Sequence, residues 1–312
     1  MKIAPQQSTR ERRSPPGWPA RACGFRRGGA RGLAARIGTA FALAFAACGF
    51  AAPAWDQPAP ALARIALVAD THTNRAADVD QGRYRGRLDQ VIAAVNAARV
   101  DVVLIAGDLT QGGKPEEMAD FKEQIKGFEA PVHCVPGNHD IGNKRIAGKQ
   151  EGPPVARVEL YERTLGPSFF VREISGVRVV GVNAPILGSG LPREAEMWTW
   201  LERELARPAN RPRIVLLHYP LFLNSPTEAG GGYHNVEPEP RARLLQLIRQ
   251  GGVRVVLSGH LHHPLTIRRD GVLFVTTPSV SFGLPAGKQP EGWTLVTLSP
   301  PGDAEIDFRT IK

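Results

Sequence analysis

The sequence predicts an α/β layered domain, and three observations lead there. Apolar, β-rich runs alternate along the chain with amphipathic helical patterns, the order expected of sheets covered by helices. The runs are continuously apolar rather than alternating, so their strands should be covered on both faces. Five short polar motifs each close such a run, which puts them at strand tips, where open α/β sheets bind their ligands.

In chain order, strands are predicted over 64–69, 100–106, 131–135, 177–182, 213–217, 253–257, 272–275 and 293–298, all rich in Val, Ile and Leu. Helices are predicted over 83–98, 115–128, 193–206 and 238–250. The last has Pro238 at its start and Gly251-Gly252 past its end, as helix punctuation requires. Stretches 140–156 and 222–237 lack periodicity and read as loops. Arg268-Arg269-Asp270-Gly271 reads as a solvated hairpin turn. Trp198 and Trp200, on an amphipathic helix, read as packing residues.

The charge is unevenly placed. The chain carries +9 with a pI near 9.9, a balance that would ordinarily point to nucleic acid. Residues 1–54 hold nine Lys and Arg against the single acid Glu11, so they account for +8 and leave +1 for the remainder. A near-neutral body lacks the basic track a nucleic-acid backbone needs, so a nucleic-acid partner is not expected.

Arginines, then an uncharged Ala-, Phe- and Leu-rich run over 37–55, then Ala52-Pro53-Ala54 match a secretory signal peptide. Cleavage near Ala54 is expected, with residues 55–312 as one exported domain, periplasmic or secreted. An uncleaved anchor fits less well, because the run is Ala-dominated and broken by Gly49 and Pro53. Arg26-Arg27 is a poor twin-arginine signal, and Cys48 in Ala46-Ala47-Cys48-Gly49 resembles a lipoprotein site, both minor readings. Cys23 and Cys48 fall in the leader, leaving Cys134 with no disulfide partner and the character of inert core.

The chemistry lies in Asp70-Thr71-His72, Gly107-Asp108, Gly137-Asn138-His139-Asp140, His218 and Gly259-His260-Leu261-His262. Two Asp, one Asn and four His among them could ligate metal, with His139 to spare, which is more than one ion can use. That surplus points to a two-metal hydrolytic site, with ions roughly 3.5–4 Å apart sharing a bridging ligand and a bridging water or hydroxide. Asp108 is the candidate bridge, since a carboxylate offers two anionic oxygens. Imidazole suits Fe, Mn or Zn better than Mg or Ca. Glycines 107, 137 and 259 should sit where the backbone turns tightly or passes close to a ligand.

These blocks, in this order, resemble the calcineurin-like metallophosphoesterase superfamily: Asp-x-His, Gly-Asp, Gly-Asn-His-Asp, a lone His, then Gly-His-x-His, spanning 70 to 262. The resemblance implies a four-layer α/β/β/α sandwich with two mixed β-sheets. It implies one metal on Asp70, His72, Asp108 and His262, and a second on Asp108, Asn138, His218 and His260. It makes His139 the general acid or transition-state stabiliser near the leaving group, with Asp140 orienting its ring. Gln111 stands where purple acid phosphatases carry Tyr, and Gln111-Gly112-Gly113 lacks the Arg of protein Ser/Thr phosphatases. What remains resembles small, broad-specificity members, including the cyclic-nucleotide phosphodiesterase branch.

The expected function is therefore hydrolysis of small phosphomonoesters or phosphodiesters. A nuclease is the alternative within enzymes; a binding protein that kept the fold without the chemistry is the alternative outside them. Tyr233, His234 and Asn235, in the Gly-rich loop after His218, are candidate substrate contacts, and Asn183, at another strand end, a weaker one. His133, inside a strand, is expected to be structural. His263 is expected behind the ligands or at the surface.

Overall fold

The computed structural model describes residues 62–75, 83–300 and 302–311; the expected leader and its cleavage site lie outside them. The first part of the fold is β1 (Ala63–Val68), α1 (Arg83–Ala98), β2 (Val102–Ala106), α2 (Pro115–Gln124), β3 (Val132–Val135) and the single turn α3 (Asn138–Ile141). Next come α4 (Val155–Leu165), β4 (Phe170–Ile174), β5 (Val177–Gly181), α5 (Pro192–Ala206) and β6 (Arg213–Leu216). Then follow α6 (Pro238–Gln250), β7 (Val253–Ser258), β8 (Leu265–Arg269), β9 (Val272–Thr276), β10 (Gly292–Ser299) and β11 (Asp303–Thr310).

The strands make two mixed sheets, ordered β11-β10-β1-β2-β3 and β4-β5-β6-β7-β9-β8. Parallel pairs fill the middle of each, β1 with β2 and β2 with β3 in one, β5-β6-β7-β9 in the other. Antiparallel strands close the outer edges beyond β1, β5 and β9.

The two-residue side-chain period of a strand divides these apolar runs between two cores. Ile65, Leu67, Leu104 and Ala106 of one sheet meet Val179, Ile214, Leu216 and Leu257 of the other in the layer between sheets. Ala66, Val68, Val103 and Ile105, with Val180, Val215 and Val256, turn outward beneath the helices. There they bury Leu88 and Val91 of α1, Met118 and Phe121 of α2, Met197 and Leu201 of α5, and Leu244 and Ile248 of α6. Burying each large apolar side chain contributes about 1.5–3 kcal/mol. The result is the α/β/β/α sandwich that the resemblance implied, and continuous hydrophobicity correctly marked central strands covered on both faces.

Helix ends follow local chemistry. α6 begins at Pro238 and stops where Gly251 N–H donates to Leu247 O, with Gly252 at φ 64°. α5 starts one residue earlier than predicted, at Pro192, because proline favours the first turn. The helix predicted over 115–128 ends at Gln124 and tightens into a 3-10 turn, Ile125–Gly127.

Three strands and one longer helix escaped the sequence reading. β4, β8 and β11 are half-exposed edge strands, so they lack the doubly covered apolar run that marks central ones. α4 buries only Val158 and Tyr161. It begins inside the stretch read as loop over 140–156, whose first two residues also belong to α3. The hairpin turn was read correctly: Asp270 and Gly271 both have positive φ and join β8 to β9.

Candidate metal centre

Past the strand tips the loops keep pairing. Asp70 N–H donates to Gly107 O and His72 N–H to Asp108 O, each at 3.0 Å, while Gly259 N–H donates to His218 O at 3.1 Å. To bring side chains back over the sheet edge, the backbone turns left-handed at Asp70 (φ 57°), His72 (48°), Asp108 (50°), His260 (72°) and His262 (56°). Asp and His tolerate this region better than most residues, yet it is strained and clusters at functional sites. The three glycines are needed for close approach. A Cβ on Gly107 would lie 2.7 Å from His218 Nδ1, one on Gly259 2.8 Å from Asp70 Oδ2, and one on Gly137 would collide with Asp108 N and Oδ1.

Two groups of ligating atoms result, Asp70, His72, Asp108 and His262 in one, and Asp108, His218 and His260 in the other; within each, one ligating atom per residue lies within 4.8 Å of the rest. In the first, His72 Nε2 lies 3.7 Å from Asp108 Oδ2 and 3.3 Å from His262 Nε2, and His262 Nε2 lies 3.4 Å from Asp70 Oδ1. In the second, His218 Nε2 lies 3.3 Å from Asp108 Oδ1, 3.1 Å from Asn138 Oδ1 and 3.2 Å from His260 Nδ1. Asp108 thus presents one carboxylate oxygen to each group.

The donor set fits metal cations. His72 Nδ1 pairs with Gln111 Oε1 (2.9 Å), His262 Nδ1 with Phe282 O (2.7 Å) and His218 Nδ1 with Ala106 O (2.7 Å). Each carbonyl oxygen requires the imidazole to donate from Nδ1, which leaves a lone pair on Nε2 aimed inward. Converging buried lone pairs repel one another until a cation lies between them. His260 instead turns Nδ1 inward, and its buried Nε2 has no partner among the described residues.

The protonation tendencies divide, with His72 and His260 favouring the neutral ring and His218 and His262, beside carboxylates, the protonated one. Burial lowers His72 to about 4 and, with His218 beside it, holds His260 well below the ordinary imidazole range. For His218 burial works downward, but Asp108 overrides it and raises the ring to about 9. Burial likewise opposes ionisation of Asp108, and His218 and His72 hold it below the usual carboxylate range. The site stabilises an anionic bridge that attracts cations, protons included.

His139 and Asp140 part company. Both lie in the turn α3, where successive side chains diverge by about 100°, so sequence neighbours face different ways. His139 lines the cleft, with its Nδ1 paired to Gln111 O (2.7 Å) and its N–H donating to Asp108 Oδ1 (2.8 Å). Asp140 is fully buried and does not hold the His139 ring, which corrects the expected orienting role. Its Oδ2 accepts from Gly137 N and Leu109 N, and its Oδ1 from Thr110 N and Oγ1. It ties the Asp108 loop to the Asn138 loop. Burial first, then the charge of Asp108, raises its carboxyl to about 6.

The candidate substrate contacts also divide. Tyr233 Oη accepts from Asn138 Nδ2 at 3.0 Å, so the Asn138 oxygen is the atom left for the second group. The rings of Tyr233 and His234 lie 4.8 and 6.0 Å from that of His260. Asn235 does not belong with them: it is buried, its amide bonded to Glu228 and its carbonyl to Lys144, as an anchor of the loop. Asn183 is fully buried, with neither amide atom partnered among the described residues. His133 packs its ring against Phe170, and His263 is half-buried. Trp198 is buried, donating to Glu194, and Trp200 packs on Phe169. Gln111 and Phe282, which hold ligand rings, were missed: a backbone carbonyl leaves no sequence signal, and Gln111 registered only as a missing tyrosine.

Comparison with known proteins agrees with this geometry. A family model described as calcineurin-like phosphoesterase matches residues 63–264. The Danio rerio serine/threonine-protein phosphatase CPPED1 is 28% identical over 225 residues, covering 67% of this chain and 69% of its own. A probable glycerophosphodiester phosphodiesterase, GpdQ, of Arcobacter nitrofigilis is 25% identical over 207 residues, covering 64% and 71%. The crystal structure of a dimetal phosphatase from Danio rerio shares the fold, with a TM-score of 0.55 and 14% identity over 79% of this chain and 98% of that one. With its ordered motifs gathered at strand tips of both sheets, the chain belongs to the calcineurin-like phosphoesterase family, metal-dependent hydrolases of phosphate esters with a dinuclear centre.

Proposed function

We propose that this chain is an exported phosphoesterase that hydrolyses small phosphomonoesters or phosphodiesters at a pair of Fe, Mn or Zn ions. One observation carries the reading: the two oxygens of Asp108 serve two separate groups of buried ligands, 3.7 Å from His72 Nε2 and 3.3 Å from His218 Nε2. Asp70, His72 and His262 would complete one metal site, and Asn138, His218 and His260 the other. Ions bound there supply positive charge for phosphoryl oxygens and make water a stronger nucleophile near neutral pH.

The remaining residues handle geometry and protons. Hydrolysis forms a bond from phosphorus to water oxygen while the ester P–O bond breaks, and the departing oxygen needs a proton. His139 gives its Nδ1 hydrogen to Gln111 O, so Nε2 would supply that proton from the doubly protonated imidazolium. Burial, then Asp108, raises the Tyr233 phenol, so it stays protonated. Since its oxygen accepts from Asn138, its own hydrogen is available to a phosphoryl oxygen. Relatives named for phosphatase and for phosphodiesterase activity match over similar lengths, which supports the ester class without choosing within it. Export rests on the arginine-then-apolar leader.

The test is paired kinetics on p-nitrophenyl phosphate and bis(p-nitrophenyl) phosphate after reconstitution with Mn, Fe or Zn. Two bound metals with hydrolysis of neither ester would overturn the catalytic reading. A full-length chain retained in the cytoplasm of its native host would overturn export.

A further inference from the structure

Beside the metal ligands lies an open cavity of about 310 Å³. Its wall includes Gln111, Asn138, His139, Asn143, Arg157 and Tyr233, and among the described residues no carboxylate lines it. Among the described residues Arg157 is the one fixed cation on that wall. It projects from the first turn of α4 across the Asp108 loop, where NH2 donates to Gly112 O and His139 O. Gly113 leaves it room, for a Cβ there would collide with the guanidinium. Among the described residues its partners are these two carbonyl oxygens, and no acid there neutralises its charge. A guanidinium has five N–H donors in a fixed fork; NH2 spends its two on the carbonyls, and Nε–H and NH1 remain to donate singly to an oxyanion.

We propose that Arg157 recognises a second anionic group on the leaving-group side of the substrate, so that preferred esters carry a carboxylate or a further phosphate beyond the scissile phosphoryl group. The inference rests on the phosphoesterase reading above and gives it a substrate class. Position supports the side: Arg157 holds the carbonyl of His139, the residue that would serve the departing oxygen. A neutral alcohol in the same place would leave the guanidinium facing only water.

The test uses the full chain loaded with Mn²⁺ and three esters: 2-hydroxyethyl phosphate, phosphoglycolate and the bisphosphate of ethylene glycol. Wild type is expected to favour at least one anionic ester over the neutral one at least tenfold in kcat/KM. Arg157→Gln should reduce that ratio at least tenfold, and the ester whose advantage collapses tells whether carboxylate or phosphate is the group read. If Arg157 merely tied two loops together, Arg157→Gln would slow all three esters in parallel and leave the ratio unchanged, overturning the proposal. A wild-type enzyme with no preference for charge overturns it without any variant. Hydrolysis of none of the esters, nor of p-nitrophenyl phosphate, removes the phosphoesterase reading itself, an outcome distinct from hydrolysis of all at equal efficiency.

Discussion

Gly137→Ala separates two accounts of the glycine ahead of Asn138. Gly137 has φ −102° and ψ −177°, extended backbone that alanine adopts freely. On conformational grounds alone the substitution should stabilise the fold by about 0.4–1 kcal/mol, because the unfolded chain loses freedom. Packing gives the opposite sign. The added Cβ would lie 2.8 Å from Asp108 Cγ and collide outright with Asp108 N and Oδ1, whereas comfortable carbon contacts need roughly 3.5–4.0 Å. Backbone and a doubly committed carboxylate must therefore move by about 1 Å, a displacement that can cost about a hundredfold in rate. Overpacking of this kind destabilises by about 1–3 kcal/mol, or roughly 2–4 °C in Tm per kcal/mol for a domain of this size. The expected variant binds fewer than two metals by elemental analysis, loses about a hundredfold in kcat/KM on p-nitrophenyl phosphate and melts earlier than wild type. An alanine enzyme with full metal content, unchanged kcat/KM and an equal or higher Tm would refute the close-approach argument.

His139→Ala should keep both metals yet lose about 10²–10⁴-fold in kcat, with a greater loss on alkyl phosphates than on p-nitrophenyl phosphate, whose leaving group needs little help from a proton; equal losses on both would count against proton donation. Tyr233→Phe should weaken binding at the second metal site by about 10–100-fold in a chelator competition, because Asn138 loses the partner that fixes its amide; unchanged affinity would detach Tyr233 from that role. Asp140→Asn should lower stability by about 1–3 kcal/mol in denaturant melts, since an amide nitrogen replaces an oxygen that accepts from Gly137, Leu109 or Thr110. Burial raises the Cys134 thiol from 9.0 to about 11, so its contribution to stability is present below pH 9.0 and lost as pH rises toward 11. In a Cys23→Ser, Cys48→Ser background the half-buried thiol should react with a thiol reagent at pH 8 more slowly in the native protein than in the unfolded one; equal rates would contradict the raised thiol.

The central strands and ligating motifs were legible for one reason: each is a local pattern under a strong constraint. A strand covered on both faces must be apolar throughout, and a metal site admits few residue types, so 64–69 followed by Asp70-Thr71-His72 leaves little choice. The features that escaped are set by longer-range partners. β11 alternates exposed and half-buried positions and owes its place to pairing with β10 from Gly292 to Ser299, which nothing in its own eight residues announces. Asp140 was misread because adjacency in sequence was taken for contact, and a single helical turn sends it to the Asp108 loop while His139 faces the cleft. Asn235 was misread in the same way: it follows Tyr233 and His234, but Glu228 and Lys144 draw it inward.

The left-handed residues show how the site and the fold depend on each other. Among the described residues, eight other than glycine have positive φ, and five of them are Asp70, His72, Asp108, His260 and His262. At roughly 1–2 kcal/mol each for an L-residue, five such turns cost an amount comparable with the whole net stability of a domain, about 5–15 kcal/mol. They persist because neighbouring loops specify them more than once: Asp70 N–H and His72 N–H are bound by the Asp108 loop, and His260 N–H by the Asp70 carboxylate itself. The backbones of Asp70, His72, Asp108, His218 and His260 are thus each bonded to another ligand or its loop, with their side chains converging where positive charge is needed. A single loop could not hold that arrangement, which explains why the motifs are short, far apart in sequence and confined to strand tips that only the finished sandwich brings together.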